Sequence, residues 1–347
     1  MQNNLLKAGI LAIILIILGF TSWELYLRST GLTIDYDDGE TLWSHKRGKV
    51  YMPQDKATVF IGSSRIKYDL DTDTWRQLTG EEPVQLAIEG ATPLPILHDL
   101  ANDEDFKGKL IIDVSEILFF NKAKQPTIEP NKCLAYYKDL TPSEKASFHI
   151  SCAAESRFVF LDKYNFSTNG MLDKLQIPNR KGVFQMPIFP LDFGRVNIDR
   201  QNKMTDKFLA DTNLQNQVRG IWGFLAKNTL EPPVTGKALD GLIMEVAASV
   251  NKIKSRGGTV VFVRTPSSGP FLMGENMGYP RQQYWDRLLK ETRTQGIHFM
   301  DYKETASYVC PEFSHLAPSD AVHYTKQLVR ILEQEKGWKF SRNTNRI

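Results

Sequence analysis

The chain has 347 residues, 41% of them hydrophobic, enough for one large domain or for a domain carrying a sizeable insertion. Its 43 basic and 40 acidic residues nearly cancel to a net +3, which leaves no electrostatic footprint for nucleic acid. No internal repeat, low-complexity tract, P-loop, GxGxxG or CxxC motif occurs in it.

The N-terminus comes first in chain order. Ala8 to Trp23 carries no charge, and Ile10 to Leu18 is dense in isoleucine and leucine. Counted from Leu5 there are 19 residues with one lysine near the start. At about 1.5 Å per residue they nearly span a hydrocarbon core of about 30 Å, with Lys7 able to snorkel. Trp23 and Tyr26 then fall at the far interface. A cleaved signal peptide is the competing reading, but no small-x-small site follows the apolar run, which favours an uncleaved anchor over residues 1–23. The charge bias between Lys7 and Arg28 is slight, and the ordinary arrangement puts the N-terminus in the cytoplasm and the bulk of the chain outside.

Residues 24–56 read as a polar connector, and the globular part is expected from Ala57. Five apolar runs read as strands covered on both faces: Thr58–Ile61, Val84–Ile88, Leu110–Val114, Thr259–Val263 and Ile297–Met300. Helical patterns alternate with them at Asp71–Leu78, Pro93–Asn102, Lys237–Arg256, Pro280–Gln295 and Ser319–Lys336. In Lys237–Arg256 the residues Leu239, Leu242, Ile243, Val246, Val250 and Ile253 share one face, and Gly257-Gly258 ends it. The alternation predicts an α/β fold with a three-layer, doubly wound, mainly parallel sheet of flavodoxin-like type over residues 57–340. Between residues 121 and 235 the rhythm fails. This stretch, rich in aromatics and proline (Met186 to Gly194 above all), is expected to be one insertion, either packing over the sheet edge or forming a lid. Cys133 and Cys152 can pair in an oxidising compartment or remain unrelated thiols, with Cys310 the odd one.

The chemistry is expected at the end of the first strand. Gly62-Ser63-Ser64-Arg65 is a small-residue turn at a strand's carboxyl end, where open α/β sheets bind ligands. Serine needs a base, a carboxylate to orient that base, and donors for an oxyanion. Of the six histidines, two follow an acid by three residues near the C-terminus: Glu312-x-x-His315 and Asp320-x-x-His323. The register of the last helix turns His323 to the solvated face with Gln327 and Arg330, whereas His315 lies in the loop before it, so His315 is preferred. Gly90, in Leu86-Ala-Ile-Glu-Gly-Ala-Thr-Pro93, is a turn glycine that can bring its N–H close to a ligand beside that of Ser64. Arg65 can neutralise an anionic substrate or bind local carboxylates.

This order (strand, G-x-S, a glycine after strand two, a late acid-x-x-His-Leu before a terminal helix) resembles the SGNH/GDSL hydrolase superfamily over roughly residues 57–122 and 258–335. The resemblance makes Ser64 the nucleophile, His315 the base, Glu312 the triad acid, and Ser64, Gly90 and Ser115 the oxyanion donors, with Arg65 toward substrate. Three departures stand out: Ser63 for the usual aspartate, Glu312 for aspartate, and Asp113-Val-Ser-Glu116 for Gly-x-Asn-Asp, so that Ser115 replaces the oxyanion asparagine. An N-terminal anchor on such a domain is similar to the extracytoplasmic acyl-transfer proteins of teichoic-acid D-alanylation and of alginate and cellulose acetylation. That likeness implies an enzyme transferring or removing O-acyl groups on a cell-surface glycan, in the periplasm or at the surface of a bacterium. It also implies a multi-pass membrane-bound O-acyltransferase as partner, an acylated glycan or acyl ester as substrate, and no metal or organic cofactor. The alternative is a catalytically weak accessory subunit that docks such a partner, or a plain anchored esterase.

Overall fold

The computed structural model describes residues 2–173, 175, 182, 186–229 and 231–340. Two compact units result, one from Met1–Asp37 with Pro142–Met186, the other from Asp38–Thr141 with Pro187–Ile347.

The first unit is helical. Its helix Gln2–Ser29 contains a 26-residue stretch, Asn4–Ser29, long and apolar enough to cross a membrane, none of whose apolar window is buried. Among its described residues it also holds helices at Pro142–Glu155, Lys163–Phe166 and Thr168–Asp173 and a 3-10 turn at Val159–Leu161.

The second unit is α/β. Five strands, β1 (Ala57–Ile61), β2 (Glu82–Gln85), β3 (Lys109–Asp113), β6 (Thr259–Arg264) and β7 (Gln295–His298), form one all-parallel sheet in the order β2-β1-β3-β6-β7. A two-stranded antiparallel ribbon, β4 (Arg195–Val196) with β5 (Asn202–Lys203), precedes β6 in the chain. Register follows side-chain alternation: Val59 lies beside Val84 and Leu110, and Ile61 beside Ile112. Val59, Ile61, Leu110, Ile112 and Phe262 pack with Leu97, Val246 and Leu288. Phe60, Ile111, Val261 and Val263 point the other way, onto Ile66, Trp75, Leu328 and Leu332. Helices therefore cover both faces, and each fully buried aliphatic side chain contributes about 1.5–3 kcal/mol.

Several expected boundaries move. The second strand ends at Gln85, although Leu86 and Ile88 still donate backbone bonds to Phe60 and Gly62. Of Pro280–Gln295 only Trp285–Thr292 is helical, and β7 begins at Gln295, before the expected Ile297. The stretch 24–56 is not merely a connector: Glu40–Arg47 is a helix, Trp43 is wholly buried, and its indole N–H donates to the Leu86 carbonyl at 3.0 Å. Residues 121–235 are not one body, because Ile128–Asp139 and 187–235 belong to the sheet unit and 142–186 to the helical one. None of the three cysteines is in a disulfide, so Cys133 and Cys152 are not bonded to each other, and burial pushes the Cys133 thiol up to about 12.

Gly62 shows how tightly the motif is built. A methyl group there would sit 2.6 Å from the Cβ of Asp113 and 2.8 Å from Cγ2 of Ile66, on the neighbouring strand and the serine helix. Gly62→Ala is expected to destabilise the domain by about 1–3 kcal/mol through overpacking, read as a lower urea midpoint at unchanged m-value.

Candidate active site

The short helix Ser64–Asp69 opens directly off β1, at the carboxyl edge of the sheet where β2 and β3 lie on either side. This puts the half-buried Ser64 hydroxyl at the rim. Opposite it, the loop before the terminal helix Pro318–Gln334 carries His315, 1% exposed, whose Nε2 lies 2.9 Å from Ser64 Oγ. The other face of the ring is fixed: Nδ1 lies 3.0 Å from Glu312 Oε1.

Glu312 is wholly buried and fully occupied. Its Oε1 also accepts the backbone N–H groups of His315 at 2.6 Å and Ser314 at 3.2 Å. Its Oε2 accepts the indole N–H of Trp222, from the helix Thr212–Thr229. These four donors fix the carboxylate and, through it, the imidazole tautomer with a proton on Nδ1 and a lone pair toward Ser64. The loop is strained at Phe313, whose φ of 82° lies in the left-handed region, and Arg219 stacks on that ring at 4.6 Å.

An aromatic wall surrounds the imidazole. Tyr68 lies 4.4 Å from it, Phe193 5.6 Å and Trp222 6.0 Å, centroid to centroid. Tyr68 comes from the serine helix; Phe193 and Trp222 come from the stretch where the βα pattern fails. Asp69, at the end of the serine helix, accepts the Leu316 N–H at 2.9 Å and so ties the Ser64 helix to the His315 loop.

Behind Ser64 lies a buried polar chain. Ser63 and Ser115 share a hydrogen bond of 2.7 Å, Ser115 donates to Asp113 at 3.1 Å, and Thr265 donates to the other Asp113 oxygen at 2.9 Å. The Ser115 hydroxyl is thus engaged with Ser63 and Asp113. Gly90 sits at an exposed turn with φ of 63°, two residues past Ile88, whose N–H bonds the Gly62 carbonyl. That φ is one glycine adopts without strain.

Arg65 is buried among protein partners. Its side chain is 3% exposed, pairs with Glu275, reaches Ser314 Oγ at 3.3 Å through Nε and stacks over Phe271 at 5.1 Å. Glu275 also pairs with Arg264, which pairs with Glu116 at 3.0 Å. Burial would raise the Glu275 carboxyl, but Arg264 and Arg65 overcome it and hold that carboxyl below the ordinary range. The reason is charge balance: buried carboxylates need buried cations. Glu275 lies on Gly269–Gly278, a helix with no sequence signature, because the buried residue that holds it is this carboxylate rather than an apolar stripe.

At three other acids on this edge burial outweighs the nearby arginines. Burial raises Asp69 well above the usual carboxylate range, and it raises Asp113 and Glu116 as well. A raised folded-state value means that stability is fully present below the unfolded value, about 3.9 for Asp, and is lost as pH rises through the folded one. Asp69→Asn keeps the acceptor for Leu316 without the charge. Its urea midpoint relative to the parent is therefore expected to be higher at pH 8 than at pH 5, and a difference independent of pH would refute this assignment.

His323 is exposed on the terminal helix, as its register implies. His298 is buried at the end of β7, accepts the Met300 N–H at 3.2 Å and is driven by burial to about 3. Sequence reading missed Trp222 and the Arg264–Glu275 pair; a tryptophan in an aperiodic stretch carries no signal of a contact with a residue 90 positions away. No protein-family model matches this chain, and no curated protein matches it in sequence.

Proposed function

We propose that the protein is an extracytoplasmic, membrane-anchored serine enzyme that transfers or removes an O-acyl group, with Ser64, His315 and Glu312 as its triad. One observation carries this reading: Ser64 Oγ, His315 Nε2 and Nδ1, and Glu312 Oε1 stand in line at 2.9 and 3.0 Å. The strand order and the two covered faces support an SGNH-like, doubly wound arrangement. The N-terminal helix supports the anchor; an ester on a cell-surface glycan as substrate and a multi-pass acyltransferase as partner are proposed from the resemblance alone.

In this mechanism His315 Nε2 takes the Ser64 proton as Oγ attacks the ester carbonyl. The negative charge that forms on the carbonyl oxygen is met by the N–H groups of Ser64 and Gly90. The imidazolium, stabilised by Glu312, then protonates the departing alcohol, leaving an acyl group on Ser64. A sugar hydroxyl or water next gives its proton to His315, attacks the acyl carbon and regenerates Ser64 as the proton returns. The aromatic wall of Tyr68, Phe193 and Trp222 keeps water from the His315 ring, which favours an acceptor hydroxyl that can displace it.

The test is turnover of an aryl acetate by the purified full chain, with a Ser64-dependent rate expected. A rate no higher than buffer, with no acyl group transferred to any sugar acceptor, would favour the accessory-subunit reading, which the engaged Ser115 hydroxyl makes the second choice. Within the enzyme reading, Trp222→Phe removes one charge-assisted bond to Glu312, worth about 1.5–3 kcal/mol. It is expected to lower kcat by about tenfold or more with KM little changed; a change in KM alone would mean that Trp222 touches substrate instead.

A further inference from the structure

The helical unit presents a surface that the catalytic reading does not use. After Pro142–Glu155 the chain returns to the membrane-spanning helix and packs on its distal end. Phe160 lies 5.6 Å from Phe20, and Phe166 lies 6.2 Å from Trp23, centroid to centroid. Phe20 is three residues inside Trp23, about 4.5 Å along the axis. A bilayer that covers this helix up to its aromatic end therefore reaches Phe160 as well.

The backbone at this depth is provided for. A loop beside lipid needs its polar groups paired within the protein. The Glu24 carboxylate accepts the N–H groups of Val159 at 3.0 Å and Phe160 at 3.3 Å, and is itself bonded by Arg28 at 2.7 Å. Arg28 also donates to the Arg157 carbonyl at 2.8 Å. The outward side of the same segment is mostly apolar: Phe158, Leu161 and Tyr164 are 41, 39 and 49% exposed, and Met171 and Leu172 are 55 and 53% exposed, with Lys163 (paired with Asp37), Thr168 and Asn169 the exposed polar residues among them. Together with Trp23 and Tyr26, which stack at 5.6 Å, they make an aromatic rim continuous with the membrane helix.

We propose that residues 158–172 form a second, interfacial membrane contact, seated at the boundary of headgroups and acyl chains beside the end of the spanning helix. The occupant is phospholipid. The interface fixes the depth of the loop, and the Glu24–Arg28 pair replaces the water that its backbone loses. This inference rests on the membrane reading of the N-terminal helix and is independent of the triad.

The test uses the full chain in nanodiscs of phosphatidylcholine and phosphatidylglycerol. Cys152 is changed to serine, since Cys133 and Cys310 are buried, and single nitroxides are placed by Phe158→Cys, Tyr164→Cys and Leu172→Cys. Collision with oxygen is expected to exceed collision with a water-soluble nickel chelate several-fold at all three. The opposite order is expected at Met244→Cys, on the helix Gly236–Ser255. Nickel-dominated collision at Phe158 or Tyr164 overturns the proposal. Shielding from both reagents also overturns it, because protein rather than lipid then covers the surface. The pattern is expected to be the same in a Ser64→Ala background, so its failure is distinct from failure of the enzyme reading.

Discussion

Ser64→Ala is expected to lower ester turnover by about 10⁴–10⁶-fold, to the residual rate left by binding and oxyanion donors alone. The change removes the attacking oxygen and its 2.9 Å bond to His315 but leaves the imidazole held by Glu312. Ser64 is half-buried at the start of its helix, and no other side chain depends on its hydroxyl among the described residues. Stability is therefore expected to change by less than about 1 kcal/mol. Turnover and urea denaturation measured on one preparation separate the two effects. Activity retained within tenfold of the parent would contradict the nucleophile assignment, whatever the stability.

Glu312→Gln carries the second large effect, and it acts on both quantities. The glutamine carbonyl can accept from only some of the four donors that now meet the carboxylate: His315 Nδ1, the N–H groups of His315 and Ser314, and the Trp222 indole. Its amide NH₂ must face at least one of them, donor against donor. Each buried donor left without a partner costs about 1–3 kcal/mol, so the urea midpoint should fall. The rate should fall by about 10³–10⁴-fold, because the imidazolium loses its counter-charge and the ring its fixed tautomer. Measured kcat at full occupancy of folded protein distinguishes this from simple unfolding. A variant with normal kcat and only reduced stability would leave Glu312 a structural residue.

The fold was legible where burial alternates with helical periodicity. The three inner strands β1, β3 and β6 fall on their apolar runs, which are covered on both faces, whereas the edge strands β2 (Glu82–Gln85) and β7 (Gln295–His298) overlap theirs by only two residues, because Glu82, Gln85 and Gln295 place polar side chains in the strand. The terminal helix was legible from its stripe of Ala321, Tyr324, Leu328 and Leu332, and that same register separated the exposed His323 from His315. Ser64 and His315, 251 positions apart, could be paired only by assuming that both loops lie on the carboxyl edge of one sheet; the geometry does bring them together.

What escaped notice depends on partners rather than on patterns. The helix Glu40–Arg47 is short, and of its buried residues only Leu42 and Trp43 are apolar, too few to set a period. Arg65 looks like a substrate ligand in sequence because nothing near it in the chain reveals Glu275, 210 positions away. Likewise Gly269–Gly278, with its glycines and single proline, shows no apolar helical period, while the ion pairs of Glu275 with Arg65 and Arg264 hold it as a helix. Trp222 belongs to the same class, a contact made by tertiary placement alone. The engaged Ser115 hydroxyl follows from Asp113, whose burial demands donors and takes that of the residue two positions on.

The most direct measurement of the central claim is covalent labelling of the full-length protein with a fluorophosphonate, followed by intact mass and peptide mapping. The account predicts a single adduct on Ser64, formed on the native protein and lost in His315→Ala. An unlabelled protein, or an adduct on another hydroxyl such as Ser63 or Ser115, would contradict it.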